Sequence, residues 1–243
     1  INNYTFVLNM QGLYDSSLLL NLQGVALSRA TLDPVNLAKT LFNTGTSYRM
    51  KGEYEKAVEY YEEGKKIFQK FGNEIIEAQG DDILQVLHFQ THQYEKGIEF
   101  GERSVYLLRK LNNLSMLGSA LNNLGLNYVS VGELAKATLL FKEALAISKK
   151  IDDKNLEQSV YLNLGDVCLE KGDYLGMKPY MEKALVLSKE LEIHESELIA
   201  IKGLSFYYQF KKDYDRSEAL AREALALSHR FNLRIQRQKV LVH

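Results

Sequence analysis

The 243-residue chain contains a single cysteine, Cys168, and only two prolines, Pro34 and Pro179. One cysteine excludes an internal disulfide and makes a reducing cytoplasm the expected compartment. With so little proline, and no stretch rich in glycine or serine, nothing marks a flexible linker between separate domains. No run approaches the roughly 18 apolar residues of a membrane span. Charge of one sign is missing too. The 30 Lys and Arg balance 31 Asp and Glu for a net charge of -1, which excludes the basic field that a nucleic-acid backbone requires. The chain opens on Ile1 with neither an initiator methionine nor a signal peptide. A fragment of a longer protein is the expectation.

What the chain does have is a 40-residue period. Tyrosine or leucine recurs at Tyr14, Tyr54, Tyr94, Leu134, Tyr174 and Tyr214, and Gly12, Gly52, Gly132 and Gly172 keep the same register. A unit copied end to end, unable to bury its own apolar face, has to stack on its neighbours, which predicts one continuous solenoid over residues 1–243 with a long concave surface. About six repeats fit, the first and last incomplete.

Within a repeat the pattern reads as two helices. Asp33 is placed to cap a helix with Pro34 in its first turn, and Leu37, Leu41, Thr44, Gly45 and Tyr48 then fall on one face. Gly52 suits a left-handed C-terminal position. A second helix follows from Tyr54, with Val58, Tyr61, Gly64, Lys65 and Phe68 inward, and stops at Phe71-Gly72-Asn73. Leu111-Asn112-Asn113, Ile151-Asp152-Asp153 and Phe231-Asn232 repeat the loop chemistry. Glycine costs roughly 1 kcal/mol inside a helix, so Gly45, Gly125 and Gly165 need a packing reason, which close helix approach supplies. Two irregularities are visible. The copy around Tyr94 departs from the pattern at Gln85, His92 and Gly101, and Pro179 predicts a late start or a kink in the helix that follows Tyr174.

On the side of the first helix opposite the buried stripe, Asn43, Asn123 and Asn163 share one register position, with Asn3 before them. Asparagine has no advantage in mid-helix. A ladder of carboxamides can donate to and accept from the main chain of an extended peptide; equally, it can bridge adjacent helices within the solenoid. Arg49 and Lys202 offer cations to a carboxylate, Asp166 and Glu170 carboxylates to a basic side chain. Phe42, Phe89, Phe206 and Phe210 add apolar area to the same side, as a contact surface or tucked against the next repeat.

The catalytic patterns are weak. His88 and His92 stand at i, i+4 without the glutamate of the metalloprotease motif, Gly64-Lys65 lacks the rest of a phosphate loop, and Cys168 falls on a buried register. No catalytic residue, metal site or cofactor is expected.

Asn123-Leu124-Gly125, Tyr128, Gly132, Ala137, Phe141 and Ala144 resemble the tetratricopeptide repeat, six residues longer than the usual 34. The resemblance covers essentially the whole chain and implies an all-α solenoid, a right-handed superhelix of helical hairpins. The 40-residue period, the Asn-Leu-Gly first helices and endings such as Ala146-Ile147-Ser148-Lys149-Lys150-Ile151 are similar to the Rap, PlcR and NprR group of peptide-sensing regulators of Gram-positive bacteria. That resemblance implies a cytoplasmic, homo-oligomeric sensor that binds a short signalling oligopeptide and controls transcription or a response-regulator partner, in programmes such as sporulation. DNA would be met only through the missing N-terminal domain, and no membrane is involved. It points to Asn43, Asn123 and Asn163 as peptide-binding residues, then Asn122, Arg49 and Asp166, and the apolar reading of the same side adds Phe89 and Phe206 to that set. The rival reading is a scaffold binding longer segments, as in eukaryotic cell-polarity adaptors with similar 40-residue arrays.

Overall fold

A computed structural model describes residues 2–70, 72–231 and 233, with Asn2, Asn3, Phe6 and Met10 described in backbone only. Phe71, Asn232 and the side chain of Asn3 therefore lie outside the described residues. Among these, twelve helices and no strands are found: α1 Asn2–Met10, α2 Tyr14–Ala30, α3 Pro34–Met50, α4 Tyr54–Lys70, α5 Glu74–Gln90, α6 Tyr94–Lys110, α7 Leu114–Ser130, α8 Leu134–Ile151, α9 Lys154–Glu170, α10 Tyr174–Glu190, α11 His194–Phe210 and α12 Tyr214–Arg230. None of them is long and apolar enough to cross a membrane.

The structural beat is 20 residues, half the sequence period. Every loop from residue 12 to residue 212 places a residue in the left-handed region at the same step, through Gly12, Leu32, Gly52, Gly72, His92, Asn112, Gly132, Asp152, Gly172, Glu192 and Lys212. Glycine adopts that conformation without strain, and asparagine and aspartate tolerate it. Leu32, His92, Glu192 and Lys212 hold it because the loop hydrogen bonds fix them: His92 N–H donates to the Phe89 carbonyl and Gln93 N–H to that of His88. The next helix is then capped. Side-chain oxygens of Asp33, Asn73, Asn113, Asp153, Asp173 and Asp213 accept from the backbone N–H three residues on, at 2.8 to 3.3 Å.

The chain divides into two compact units, Ile1–Ala137 and Thr138–His243. In the first, α2 to α7 pack each on the next, and α5 also touches α7; in the second, α9 to α12 do the same and α9 touches α11. The first core centres on Leu41, Ala57, Tyr61, Leu84, Leu87, Leu108 and Leu121, the second on Val160, Met177, Met181, Ala184 and Ile201, all almost fully buried. Tyr128 is buried as its register requires, whereas Tyr48 is half-buried and stacked on Tyr60.

The late start expected at Pro179 does not occur. α10 begins at Tyr174, in register with its counterparts. Asp173 caps its first turn through the Gly176 N–H at 2.8 Å, Pro179 removes a single donor on an exposed face, and Met177 and Met181 anchor both sides of it in the core.

The irregular copy around Tyr94 is compensated pair by pair. In the regular copies a small first-helix residue faces a large second-helix one: a Cβ on Gly45 would lie 2.8 Å from the ring of Tyr61, and one on Gly165 would lie 2.6 Å from Cε of Met181. At Gln85 and Gly101 the sizes are exchanged. Gln85 fills the space that Gly101 leaves, and a Cβ there would meet its amide. A second exchange is electrostatic. Asp81 takes the register of Leu41 and Leu121, Lys65 that of Val105 and Leu145, and the two form a buried ion pair. Arg103 Nε stands 3.3 Å from the other oxygen of Asp81 and also pairs with Glu77.

Candidate binding surfaces

In the first unit the outward sides of α3, α5 and α7 meet at an open groove of about 480 Å³. Lys39, Phe42 and Asn43 of α3, Phe68 of α4, Ile76, Gln79, Asp82 and Ile83 of α5 and Met116 of α7 line it. Its apolar floor exists because two glycines clear a slot. A Cβ on Gly64 would lie 2.6 Å from the Phe42 ring, and one on Gly80 would lie 3.2 Å from it. Phe42 enters that slot and meets Tyr61 and Phe68 edge-on, with centroids 5.1 and 5.5 Å away. It is half-buried, part plug and part groove wall.

The polar wall centres on Asp82. Gln85 Nε2 donates to its Oδ1 at 2.6 Å and Asn123 Nδ2 to the same oxygen at 3.2 Å, while Gln85 also reaches the Ala120 carbonyl. Burial pushes the Asp82 carboxyl above its ordinary range, and the two amide donors only partly offset this. Asn123 thus ties α7 to α5. Asn43, at the same register, differs: its backbone carbonyl accepts from Asn21 and Ser47, but its side-chain amide makes no hydrogen bond among the described residues and faces the groove. Arg49 is half-buried beside the hydroxyl of Tyr61, whose own hydrogen bond goes to Thr46 at 2.7 Å. Phe89 is half-buried and meets Tyr94 edge-on, and Asn122 is half-buried on α7.

In the second unit the comparable face belongs to α9 and α11. Asn163, Asp166, Lys202 and Phe206 are half-buried there, and Glu170 and Phe210 are exposed, Phe210 stacking on Tyr174 at 4.7 Å. Burial, with Glu170 adding repulsion and Lys202 opposing it, pushes Asp166 up to about 6.

Sequence projection missed Phe68, Ile76 and Met116 as groove residues and did not single out Asp82. Ile76 and Met116 share a register two turns before the asparagines, with Leu156 next in the series, a signal that could have found them.

His88 is buried and stacked on Phe100 at 5.3 Å, with neither ring nitrogen hydrogen-bonded among the described residues, and burial lowers its pKa. His92 bonds instead to the Tyr94 hydroxyl. Cys168 is half-buried against the core of the second unit, which raises its thiol pKa. No cluster of three metal-ligating side chains occurs among the described residues.

Family models described as tetratricopeptide repeat match residues 38–71, 117–151 and 158–190. No curated protein sequence matches the chain. Among solved structures, BtubC (BKLC) from P. vanneervenii is similar at 18% identity and a TM-score of 0.76, over 90% of this chain and 92% of that one. The apo quorum sensor NprR from B. thuringiensis is similar at 14% identity and a TM-score of 0.75, over 96% of this chain and 67% of that one. A Rap protein complexed with Competence and Sporulation Factor is similar at 14% identity and a TM-score of 0.70, over 94% of this chain and 74% of that one. At these identities the likeness is one of fold. Hairpins of 17-residue helices, a left-handed residue closing every loop and three matched repeats make this chain a tetratricopeptide-repeat solenoid.

Proposed function

We propose that the chain is a non-enzymatic sensor domain that binds a short oligopeptide across the open sides of its first helices. The observation that carries this is the Asn43 carboxamide, which makes no hydrogen bond among the described residues and faces a groove of about 480 Å³ between an aromatic floor and the Asp82 carboxylate. An extended peptide there gives Asn43 main-chain partners, each bond contributing roughly 0.5 to 1.5 kcal/mol. A basic group relieves the buried charge of Asp82, and an apolar side chain covers Phe42 and Ile83. The face of α9 and α11 offers a similar mixture in Asn163, Asp166 and Phe206. A structural likeness to NprR, a quorum sensor, and to a Rap protein bound to Competence and Sporulation Factor supports a signalling peptide as ligand. On this reading the domain works in the cytoplasm, as a homo-oligomer, and binding shifts the population between conformations that a response regulator or an appended DNA-binding domain reads.

One observation favours the scaffold reading. Asn123 spends its amide on Asp82, bridging hairpins, which makes this member of the asparagine series structural. Calorimetry separates the two. Asn43→Ala should weaken a short peptide found by screening by about 2- to 13-fold, equivalent to roughly 0.5 to 1.5 kcal/mol, with stability unchanged. If only segments of twenty or more residues bind, and Asn43→Ala does not affect them, the scaffold reading stands instead.

A further inference from the structure

A second groove, of about 560 Å³, lies in the second unit on the side of the second helices. Tyr161 of α9 lines it, with Lys149 of α8 on one wall and Pro179, Lys183, Val186 and Leu187 of α10 on the other. Along α10, Leu175, Pro179 and Val186 stand at i, i+4 and i+11, all exposed, Leu175 and Val186 by 61% and 65%. A second helix of a solenoid has no packing reason to show an apolar stripe to water.

The charges around the stripe are unevenly met. Glu182 is paired with Lys178 at 2.6 Å, and Glu157 loosely with Lys149 at 3.9 Å. Lys183 forms no ion pair among the described residues; its ammonium lies 5.3 Å from the Tyr161 ring centroid, and that of Lys149 lies 5.5 Å from the same ring. Among the described residues the groove's two carboxylates, Glu157 and Glu182, are thus matched to Lys149 and Lys178, and the Lys183 ammonium is left over beside the Tyr161 ring. Pro179 adds an acceptor, since it has no N–H for the Leu175 carbonyl one turn back.

We propose that this groove docks an acidic, apolar segment of a partner protein. Its carboxylate would sit between Lys183 and Lys149, its bulky side chains on Pro179, Val186 and Leu187, and a main-chain N–H on the Leu175 carbonyl. The surface is separate from the first-helix face and does not depend on peptide sensing there.

The test uses the whole chain with labelled valine and leucine methyls. The probes are the blocked peptide acetyl-Leu-Glu-Asp-Leu-Phe-amide and its uncharged counterpart, acetyl-Leu-Gln-Asn-Leu-Phe-amide. The acidic peptide should shift the Val186 and Leu187 methyls saturably and bind at least tenfold more tightly than the uncharged one. Lys183→Glu should abolish the response and Lys183→Arg keep it, with the circular dichroism of both unchanged. Equal affinity for the two peptides, shifts confined to other methyls, or the same shifts on raising protein concentration alone would overturn the proposal, the last by making a second copy the occupant.

Discussion

Removing the charge of Lys65 should be far more damaging than removing its whole ion pair. Asp81 is fully buried, and desolvation raises its pKa even against the pull of Lys65 and Arg103. Lys65→Met strips away the buried partner and leaves a carboxylate with only Arg103, half-exposed and 3.3 Å away without hydrogen-bond geometry. Stranding one member of a buried pair costs about 3 to 5 kcal/mol, and the retained Arg103 places this case near the lower end. The double variant Lys65→Met, Asp81→Leu restores the apolar chemistry that Leu41, Leu121, Val105 and Leu145 hold at these registers, so it should return to within about 1 kcal/mol of the parent or exceed it. Phe100 remains as apolar cover, since the Lys65 ammonium lies 4.6 Å from its centroid. Urea unfolding followed by circular dichroism measures both variants, with the slope checked for loss of cooperativity, which repeat arrays are prone to. If the double variant is as unstable as the single one, the pair is not a compensated exchange and the reasoning fails.

Glycine substitutions should sort by the stiffness of what they meet. Gly45→Ala presses on the buried Tyr61 ring and should cost a net of up to about 2 kcal/mol, roughly 1 to 3 of overpacking less about 1 of helix propensity, whereas Gly165→Ala meets the flexible end of Met181 and should be near neutral or stabilising by the same urea assay. The His88 pKa is depressed in the folded state by burial, so its contribution is present above the unfolded value near 6.5 and lost as pH falls toward the folded one. The parent should therefore lose melting temperature as pH falls below about 6.5 relative to His88→Phe, and parallel curves would refute this. Asp166 is shifted the other way, to about 6, so its ionisation costs stability as pH rises through that value. Asp166→Asn should stabilise the chain more at pH 7.5 than at pH 4.5, and a cationic peptide on the α9 and α11 face should bind the parent, not the variant, more tightly above pH 6.

Architecture was legible in the sequence because it is enforced at every repeat. Tyr54, Gly52 and Asp33 each announce a helix start, a loop or a cap, and each is where the register puts it. The 20-residue beat was hidden because leucine, histidine, glutamate and lysine serve at loop positions where glycine or asparagine would have signalled it. The copy around Tyr94 looked defective for a related reason. Gln85 is anomalous only until Gly101 is set against it, and Asp81 only until Lys65 is, and both pairs join residues 16 apart on different helices.

The same dependence on a neighbour governs the candidate site. Asn43 and Asn123 share a residue type, a helix position and a register, yet the Asn123 amide is spent on Asp82 and the Asn43 amide makes no hydrogen bond among the described residues. For Asn123 the partner is the residue 41 positions earlier, the carboxylate of Asp82. A repeat register fixes where a side chain points but not what waits for it there, because the opposing residue belongs to another copy that varies independently. Asp82→Ala should therefore release the Asn123 amide, at a cost of the two charge-assisted hydrogen bonds from Asn123 and Gln85, about 1.5 to 3 kcal/mol each less the relief of an unfavourably buried carboxylate. If Asn123 were held by its own helix instead, its side-chain amide protons would exchange with solvent at the same rate in Asp82→Ala as in the parent. An accelerated exchange, with the amides of Asn43 unchanged, is the expected result.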